Sequence, residues 1–113
     1  MSEAIIDPAT FAELQETAGA DFVGELVQTF LEEAPAMLQE MRDAFAAGDA
    51  DAYRRAAHSL KSNSLTFGAL ALGAMARDQE VGGLAAGAAP GALDALAEAY
   101  ARAAAALAEL SHG

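Results

Sequence analysis

A histidine near the middle of the chain is the residue best suited to chemistry. His58 lies in the stretch AHSLKSNSLTFGA, which runs from Ala57 to Ala69, and Lys61 follows it by three residues. At about 100° per residue, one helix face carries Tyr53, Ala56, Leu60 and Phe67, and His58 projects in almost the opposite direction. The spacing therefore predicts a solvent-exposed imidazole close to an ammonium group. A neutral imidazole is a nucleophile near neutral pH, and the ammonium can offset charge on a phosphoryl group.

The residues one helical turn from His58 favour phosphoryl chemistry over its competitors. They are two cations before it and a cation and a small hydroxyl residue after it: Arg54, Arg55, Lys61 and Ser62. None is a carboxylate, whereas a di-iron site needs one at this spacing. Ser59 is adjacent in sequence and projects about 100° away, so no serine–histidine pair for acyl transfer forms locally. Ser62 is small enough to admit an incoming protein and offers a hydroxyl hydrogen bond.

Composition narrows the range of partners. The 113 residues contain 6 Lys plus Arg and 17 Asp plus Glu, giving a formal net charge of −11. This charge repels phosphate backbones and anionic lipid headgroups, so we expect no nucleic acid or membrane partner. There is no cysteine, which fits a reducing compartment. Because no secretory leader or apolar run of about 20 residues is present, we expect one cytoplasmic domain.

Helix signals at the start of the chain are strong. Asp7 followed by Pro8 predicts a capped first helix that runs to about Ala18. Gly19 should end this helix, and Asp21 is the expected cap of a long second helix. The apolar residues of the second helix keep the helical period: Val23, Leu26, Val27, Phe30, Ala34, Met37, Met41 and Phe45. Pro35 lies away from this stripe and predicts a bend on the solvent side.

Three further helices are predicted after a tight link at 47–49. The third carries inward-facing residues on either side of His58: Tyr53, Ala56, Leu60, Ser64 and Phe67. After a turn near Gly68, the fourth should face the bundle with Ala69, Leu72, Met75 or Ala76, and Gln79. The segment GLAAGAAPGA, 83–92, is predicted to be a loop, and Pro90 to open the last helix. The inward residues of that helix are predicted to be Leu93, Leu96, Tyr100, Ala103, Leu107 and Leu110.

These segments predict an all-α protein. No strand pattern competes with the helical ones, and four sizeable amphipathic helices are joined by short links. Such helices pack most readily as an antiparallel four-helix bundle, and the short N-terminal helix is expected to cover one end.

A set of residues around the histidine resembles the signature of histidine phosphotransfer (HPt) domains from bacterial and fungal phosphorelays. The matching residues are Ala57, His58, Leu60, Lys61, Ser64, Gly68, Ala69, Leu72 and Glu80. The segments IIDPATFAEL, FLEEAPAML and AFAAGDADAYRRAAHSLKS are also similar in order and spacing. The resemblance thus covers most of the chain and implies one HPt domain over 1–113. It also implies that the histidine exchanges a phosphoryl group with aspartates of response-regulator receiver domains.

The resemblance assigns roles to individual residues. His58 matches the phosphorylated histidine and Lys61 the lysine that supports the phosphoryl group. Ser62 occupies a position that is usually glycine, and Gln79 a position where leucine is common. The resemblance implies a phosphocarrier, not an enzyme, with no cofactor of its own. Mg²⁺ is expected on the partner receiver, and a sensor or hybrid histidine kinase is the expected phosphoryl source.

A docking surface for the receiver is expected beside the histidine. Leu65 lies two turns after His58 on the exposed face, where a solvated helix would more often carry a polar residue. The other residues expected to contribute are Arg54, Leu70, Leu31 and Leu38. We expect the protein to act as a monomer.

Two other functions fit the same residues. The first is an interaction module that binds receivers or a kinase without accepting phosphate. The second is the phosphoacceptor domain of a chemotaxis-type kinase, which the segment SLKSNSLTFGA also resembles. The absence of a following domain in this chain favours a free-standing phosphocarrier over the second alternative.

Overall fold

Five α-helices form the protein in a computed structural model that describes residues 5–112. Their bounds are α1 (Pro8–Ala18), α2 (Ala20–Ala47), α3 (Ala50–Thr66), α4 (Leu70–Gly87) and α5 (Ala92–His112). Helices α2 to α5 pack in a ring, each against the next and α5 against α2, while α1 lies on α2 and α3. No strand occurs within 5–112. The predicted all-α helical bundle is confirmed.

The first helix is tied to the turn that precedes α4. The Asp7 side chain caps α1 by accepting hydrogen bonds from Thr10, at 3.1 Å from its backbone nitrogen and 2.6 Å from its hydroxyl. These bonds hold the pKa of Asp7 below its usual value. The backbone N–H of Asp7 donates to the carbonyl of Gly68 at 2.8 Å. Gly68 has a φ of 82°, so a side chain would be disfavoured there.

The inward faces predicted for α2 and α3 are confirmed in outline. Phe30 of α2 lies at the centre, with its ring centroid 5.3 Å from that of Phe67 and 5.9 Å from that of Tyr100. All five inward residues predicted around His58 are buried: Tyr53, Ala56, Leu60, Ser64 and Phe67. Ser64 satisfies its hydroxyl by donating to the Leu60 carbonyl at 2.6 Å.

Helix boundaries differ from the predictions at two places. Gly19, not Asp21, is the N-cap of α2. Asp21 lies in the first turn, where its negative charge interacts favourably with the positive end of the helix dipole. Helix α2 then continues through the exposed Pro35. The prediction of a loop over 83–92 is also wrong for its first half, which is helical. Helix α4 bends at Gly83, which has a φ of 65° and a ψ of −149°, and continues to Gly87.

The alanines after Gly83 explain the extra helix, because alanine has the highest helix propensity and Gly87 is buried against the bundle. The last helix begins at Ala92, two residues after Pro90. Leu110, predicted to face inward, is exposed, while Leu96, Ala103 and Leu107 are buried as predicted. None of the helices within 5–112 combines the length and apolar character needed to cross a membrane.

Candidate functional site

The side chain of His58 is 56% exposed on the outer face of α3. It is placed there because Tyr53, Leu60 and Ser64 occupy the inner face of the same helix and are completely buried. The exposure predicted from helical periodicity is therefore confirmed. A protein partner can reach the imidazole without any opening of the bundle.

Glu80 of α4 bridges the two residues that the sequence analysis placed together. Its Oε2 lies 2.8 Å from His58 Nδ1, and its Oε1 lies 2.8 Å from Lys61 Nζ. The expectation that no carboxylate stands near His58 is wrong, because it considered only residues along α3. The carboxylate comes from the neighbouring antiparallel helix, so spacing within one helix could not reveal it.

The charge of Glu80 determines how the imidazole is oriented. Hydrogen bonds from Lys61, and next from His58, hold the pKa of Glu80 below its usual value. An ionised carboxylate can only accept hydrogen bonds, so Nδ1 must carry a hydrogen to bond to it. In the neutral ring the lone pair then lies on Nε2. The contact thus selects the tautomer whose free nitrogen can attack a phosphoryl group.

The two arginines before His58 pair with an acid on their own helix. Arg54 Nη2 lies 2.7 Å from Asp51 Oδ1, and Arg55 Nε lies 3.3 Å from Asp51 Oδ2. All three side chains are more than half exposed, so these pairs contribute little to stability. Lys61 is therefore the cation that the structure brings into the His58 cluster.

Ser62 and Leu65 continue the exposed face of α3 beyond the histidine. Ser62 is exposed one turn after His58, and Leu65 is 42% exposed two turns after it. Leu65 packs over Gly73 of α4 so closely that a Cβ at position 73 would lie 2.5 Å from Leu65 Cδ2. Leu70, at the start of α4, is also exposed. These residues extend an accessible surface from the histidine toward the α3–α4 turn.

Leu31 and Leu38 lie elsewhere, on the side of α2 that faces α5. The Leu31 carbonyl accepts a hydrogen bond from the Tyr100 hydroxyl of α5 at 3.2 Å. One turn after Leu38, Arg42 binds Asp94 of α5 at 3.0 Å. Both leucines are half-buried against the core. Helical periodicity placed them at the edge of an apolar stripe but not on which edge. The residues of α2 that line a groove with Ser59, next to His58, are others, among them Met37 and Glu40.

An open groove lies between α2 and α3 on the other side of the histidine. It has a volume of about 520 Å³ and extends from Ser59, the residue after His58, along Ala56 and Ala52 to Asp49. Glu40 of α2 forms part of its opposite wall. Within 5–112, no three His, Asp or Glu side chains are grouped to hold a metal ion.

An exposed histidine on a helical bundle, oriented by a carboxylate and accompanied by an ammonium, defines a phosphotransfer module. The family model described as "Hpt domain" matches residues 25–112. The chain therefore belongs to the Hpt domain family, and its function is histidine phosphotransfer in phosphorelays. Hpt domains interact with receiver domains and histidine kinases and are not themselves kinases.

A solved structure supports the same assignment. The chain is similar to histidine-containing phosphotransfer protein B (HptB) from Pseudomonas aeruginosa PAO1, with a TM-score of 0.85 and 26% sequence identity. The similarity covers 98% of this chain and 97% of the other. No curated protein sequence matches this chain.

Proposed function

We propose that His58 accepts a phosphoryl group from the aspartyl phosphate of a receiver domain, or of a hybrid kinase, and passes it to a response-regulator receiver. The observation that carries this proposal is the bridging carboxylate of Glu80. It engages Nδ1 of His58 and leaves Nε2 of an exposed ring as the nucleophile. The chain thus acts as a phosphocarrier and not as a kinase.

The transfer step forms one bond and breaks one. The Nε2 lone pair of His58 attacks the phosphorus of the aspartyl phosphate, and the bond from phosphorus to the aspartate oxygen breaks. The aspartate leaves as a carboxylate, and the phosphorylated ring retains its hydrogen on Nδ1 and gains positive charge. Glu80 Oε2, 2.8 Å from Nδ1, stabilises that charge as it develops. The reverse transfer uses the same contacts.

Lys61 offsets the negative charge of the phosphoryl group. Its ammonium has three hydrogens, and the contact with Glu80 Oε1 uses one of them. We expect the other two hydrogens to bond to oxygens of the phosphoryl group. Because Glu80 holds the ammonium in place, Lys61 needs little reorganisation when the receiver docks.

We assign receiver docking to the exposed face around the histidine. The side chain of Ser62, one turn after His58, is small and leaves room for the receiver's active site to approach Nε2. Leu65 provides the apolar contact, and Leu70 and Arg54 lie at the margins of this surface. Leu31 and Leu38 are left out of it because they lie beside α5.

The remaining chemistry comes from the partner. Mg²⁺ bound to the receiver would neutralise phosphoryl oxygens, and this chain needs no cofactor of its own. One chain contributes His58, Lys61 and Glu80, which favours a monomer as the active unit. The net charge of −11 argues against nucleic acid and membrane partners. We place the protein in the cytoplasm with its receivers.

The experiment that tests this function follows labelled phosphate. The purified chain is incubated with a phosphorylated receiver, or with a hybrid kinase and ATP, and the acid and base stability of the transferred label is measured. We expect an acid-labile, base-stable label on the wild type and none on His58→Gln. The matched control is His112→Gln, which removes the chain's other histidine and should label normally.

Folded protein that takes no label from several donors would overturn the proposal. In that case the chain would be a receiver-binding module that has the surface without the reaction. Equal labelling of wild type and His58→Gln would also overturn it, because the acceptor would then be another residue.

A further inference from the structure

A further hydrogen bond joins α3 to α4 beside the contacts that Glu80 makes with His58 and Lys61. The hydroxyl of Tyr53 on α3 donates to Oε1 of Gln79 on α4 at 2.6 Å, although the two residues are 26 positions apart in the sequence. Tyr53 is completely buried and Gln79 is half-buried. Burial raises the pKa of Tyr53, which keeps its hydroxyl protonated and able to donate.

The ring of Tyr53 packs closely against residues of α4 and α2. A Cβ at Gly87 of α4 would lie 2.5 Å from the Tyr53 hydroxyl oxygen and 2.9 Å from Cζ, so the glycine backbone is close against the ring. The ring centroid of Phe45 of α2 lies 6.3 Å from that of Tyr53. The hydroxyl cannot shift without displacing one of these neighbours.

Helix α4 packs extensively against α3, with Leu65 of α3 directly over Gly73. Its buried residues are small apart from one leucine: Leu72, Gly73, Ala76 and Gly87. Residues of this size let α3 and α4 pack closely, and the Tyr53–Gln79 hydrogen bond adds a directional contact between them. Gly83 interrupts the helical backbone three residues after Glu80, so Gln79 and Glu80 both belong to the helical segment before the bend.

The sequence adjacency of Gln79 and Glu80 links the two contacts. Neighbouring residues of a helix diverge by about 100°, so the direction of one fixes that of the next. When Gln79 is bonded to Tyr53 inside the bundle, Glu80 projects toward the outer face of α3. There it meets His58 and Lys61.

We propose that Tyr53 and Gln79 are positioning residues for phosphotransfer, whose hydrogen bond sets the rotation of α4 so that Glu80 reaches His58. This inference rests on the proposed role of His58. Neither residue touches the reacting atoms, and both act through Glu80. A buried pair that served only to satisfy its own polar groups would leave the imidazole unchanged when it was replaced by apolar residues.

The test removes the hydrogen bond from either side. Tyr53→Phe deletes only the donor, and Gln79→Leu replaces the acceptor with an apolar side chain of similar size. Gln28→Leu is the matched control, because Gln28 is exposed on α2. Each variant is made in the wild-type and in the Glu80→Ala background. The measurements are the rate of transfer from a phosphorylated receiver, the ¹⁵N chemical shifts of the His58 ring and the circular dichroism spectrum.

We expect Tyr53→Phe and Gln79→Leu to slow transfer by about threefold to tenfold, the effect of one lost hydrogen bond. Their ¹⁵N shifts should show a smaller fraction of the tautomer with hydrogen on Nδ1. In the Glu80→Ala background the same substitutions should cause no further loss. Gln28→Leu should change neither the transfer rate nor the tautomer fraction in either background.

Three results would overturn the inference. They are an unchanged tautomer fraction in folded Tyr53→Phe, an equal loss of rate with and without Glu80, and a change in unfolding temperature with normal transfer. The ring measurement needs no phosphoryl donor. If His58 accepted no phosphate, the proposed function would fail while the ¹⁵N shifts still decided whether the pair positions Glu80.

Discussion

Glu80 and His58 meet across two antiparallel helices, with Oε2 and Nδ1 2.8 Å apart although the two residues are 22 positions apart in the sequence. The second oxygen of the same carboxylate holds Lys61. A single side chain thus contacts both the imidazole of His58 and the ammonium of Lys61. This arrangement makes Glu80 the residue whose replacement should report most directly on how the site works.

Replacing Glu80 should slow phosphotransfer without removing it. Glu80→Ala deletes both contacts, so the ring loses its preferred tautomer and the charge on the phosphorylated ring loses its partner. We expect a reduction of about threefold to tenfold, because the site is partly exposed and water replaces some of the interaction. Glu80→Gln keeps an acceptor oxygen and should lie between Ala and wild type. Equal rates for all three proteins would exclude the orienting role.

The pKa of Glu80 should depend on Lys61 more than on any other residue. The pKa of Glu80 is lower in the folded protein than in the unfolded chain. The contacts of Glu80 with Lys61 and His58 therefore stabilise the fold at neutral pH, and this stabilisation is lost as the pH falls through the folded pKa. Lys61→Met should raise the pKa of Glu80 toward the ordinary value of 4.5, and Lys61→Arg should keep it low. Carboxyl ¹³C NMR titration measures this. A pKa that Lys61→Met left unchanged would contradict the assigned contact.

Two glycines should respond in opposite directions to the same substitution. Gly87→Ala places a Cβ 2.5 Å from the Tyr53 hydroxyl, and we expect a loss of about 1 to 3 kcal/mol in the free energy of unfolding. Gly24→Ala, within α2, meets no atom within 4 Å and should stabilise the helix by about 0.5 to 1 kcal/mol. Urea denaturation measures both. Similar effects at the two positions would show that Gly87 is not in close contact.

Leu65 should be needed for docking and not for folding. Leu65→Asp places a charge on the proposed receiver surface, and we expect transfer to slow by about tenfold, corresponding to some 1.4 kcal/mol of lost binding. The matched control is Leu110→Asp on α5, because both leucines are 42% exposed. Transfer rates and circular dichroism are compared. Normal transfer by Leu65→Asp would remove this residue from the interface.

The sequence by itself determined the features that depend on residues within one or two helical turns. Asp7 and Pro8 mark the start of α1 because a capping carboxylate and a fixed φ act locally. The exposure of His58 followed from the apolar period of α3. The prediction of a loop failed just after Gly83, where glycine disfavours a helix and alanine favours one. The high helix propensity of alanine and the burial of Gly87 extended α4 past the flexible Gly83.

Only the tertiary structure decided which residues of different helices meet. The match to the HPt signature included Glu80 but gave it no role, and its contact with His58 depends on the rotation of α4 against α3. The same holds for Leu31 and Leu38, which helical periodicity placed at a stripe edge and which packing placed beside α5. The helical period fixes the direction in which each side chain projects around the axis of its own helix. The relation between two axes comes from the side chains that pack between them.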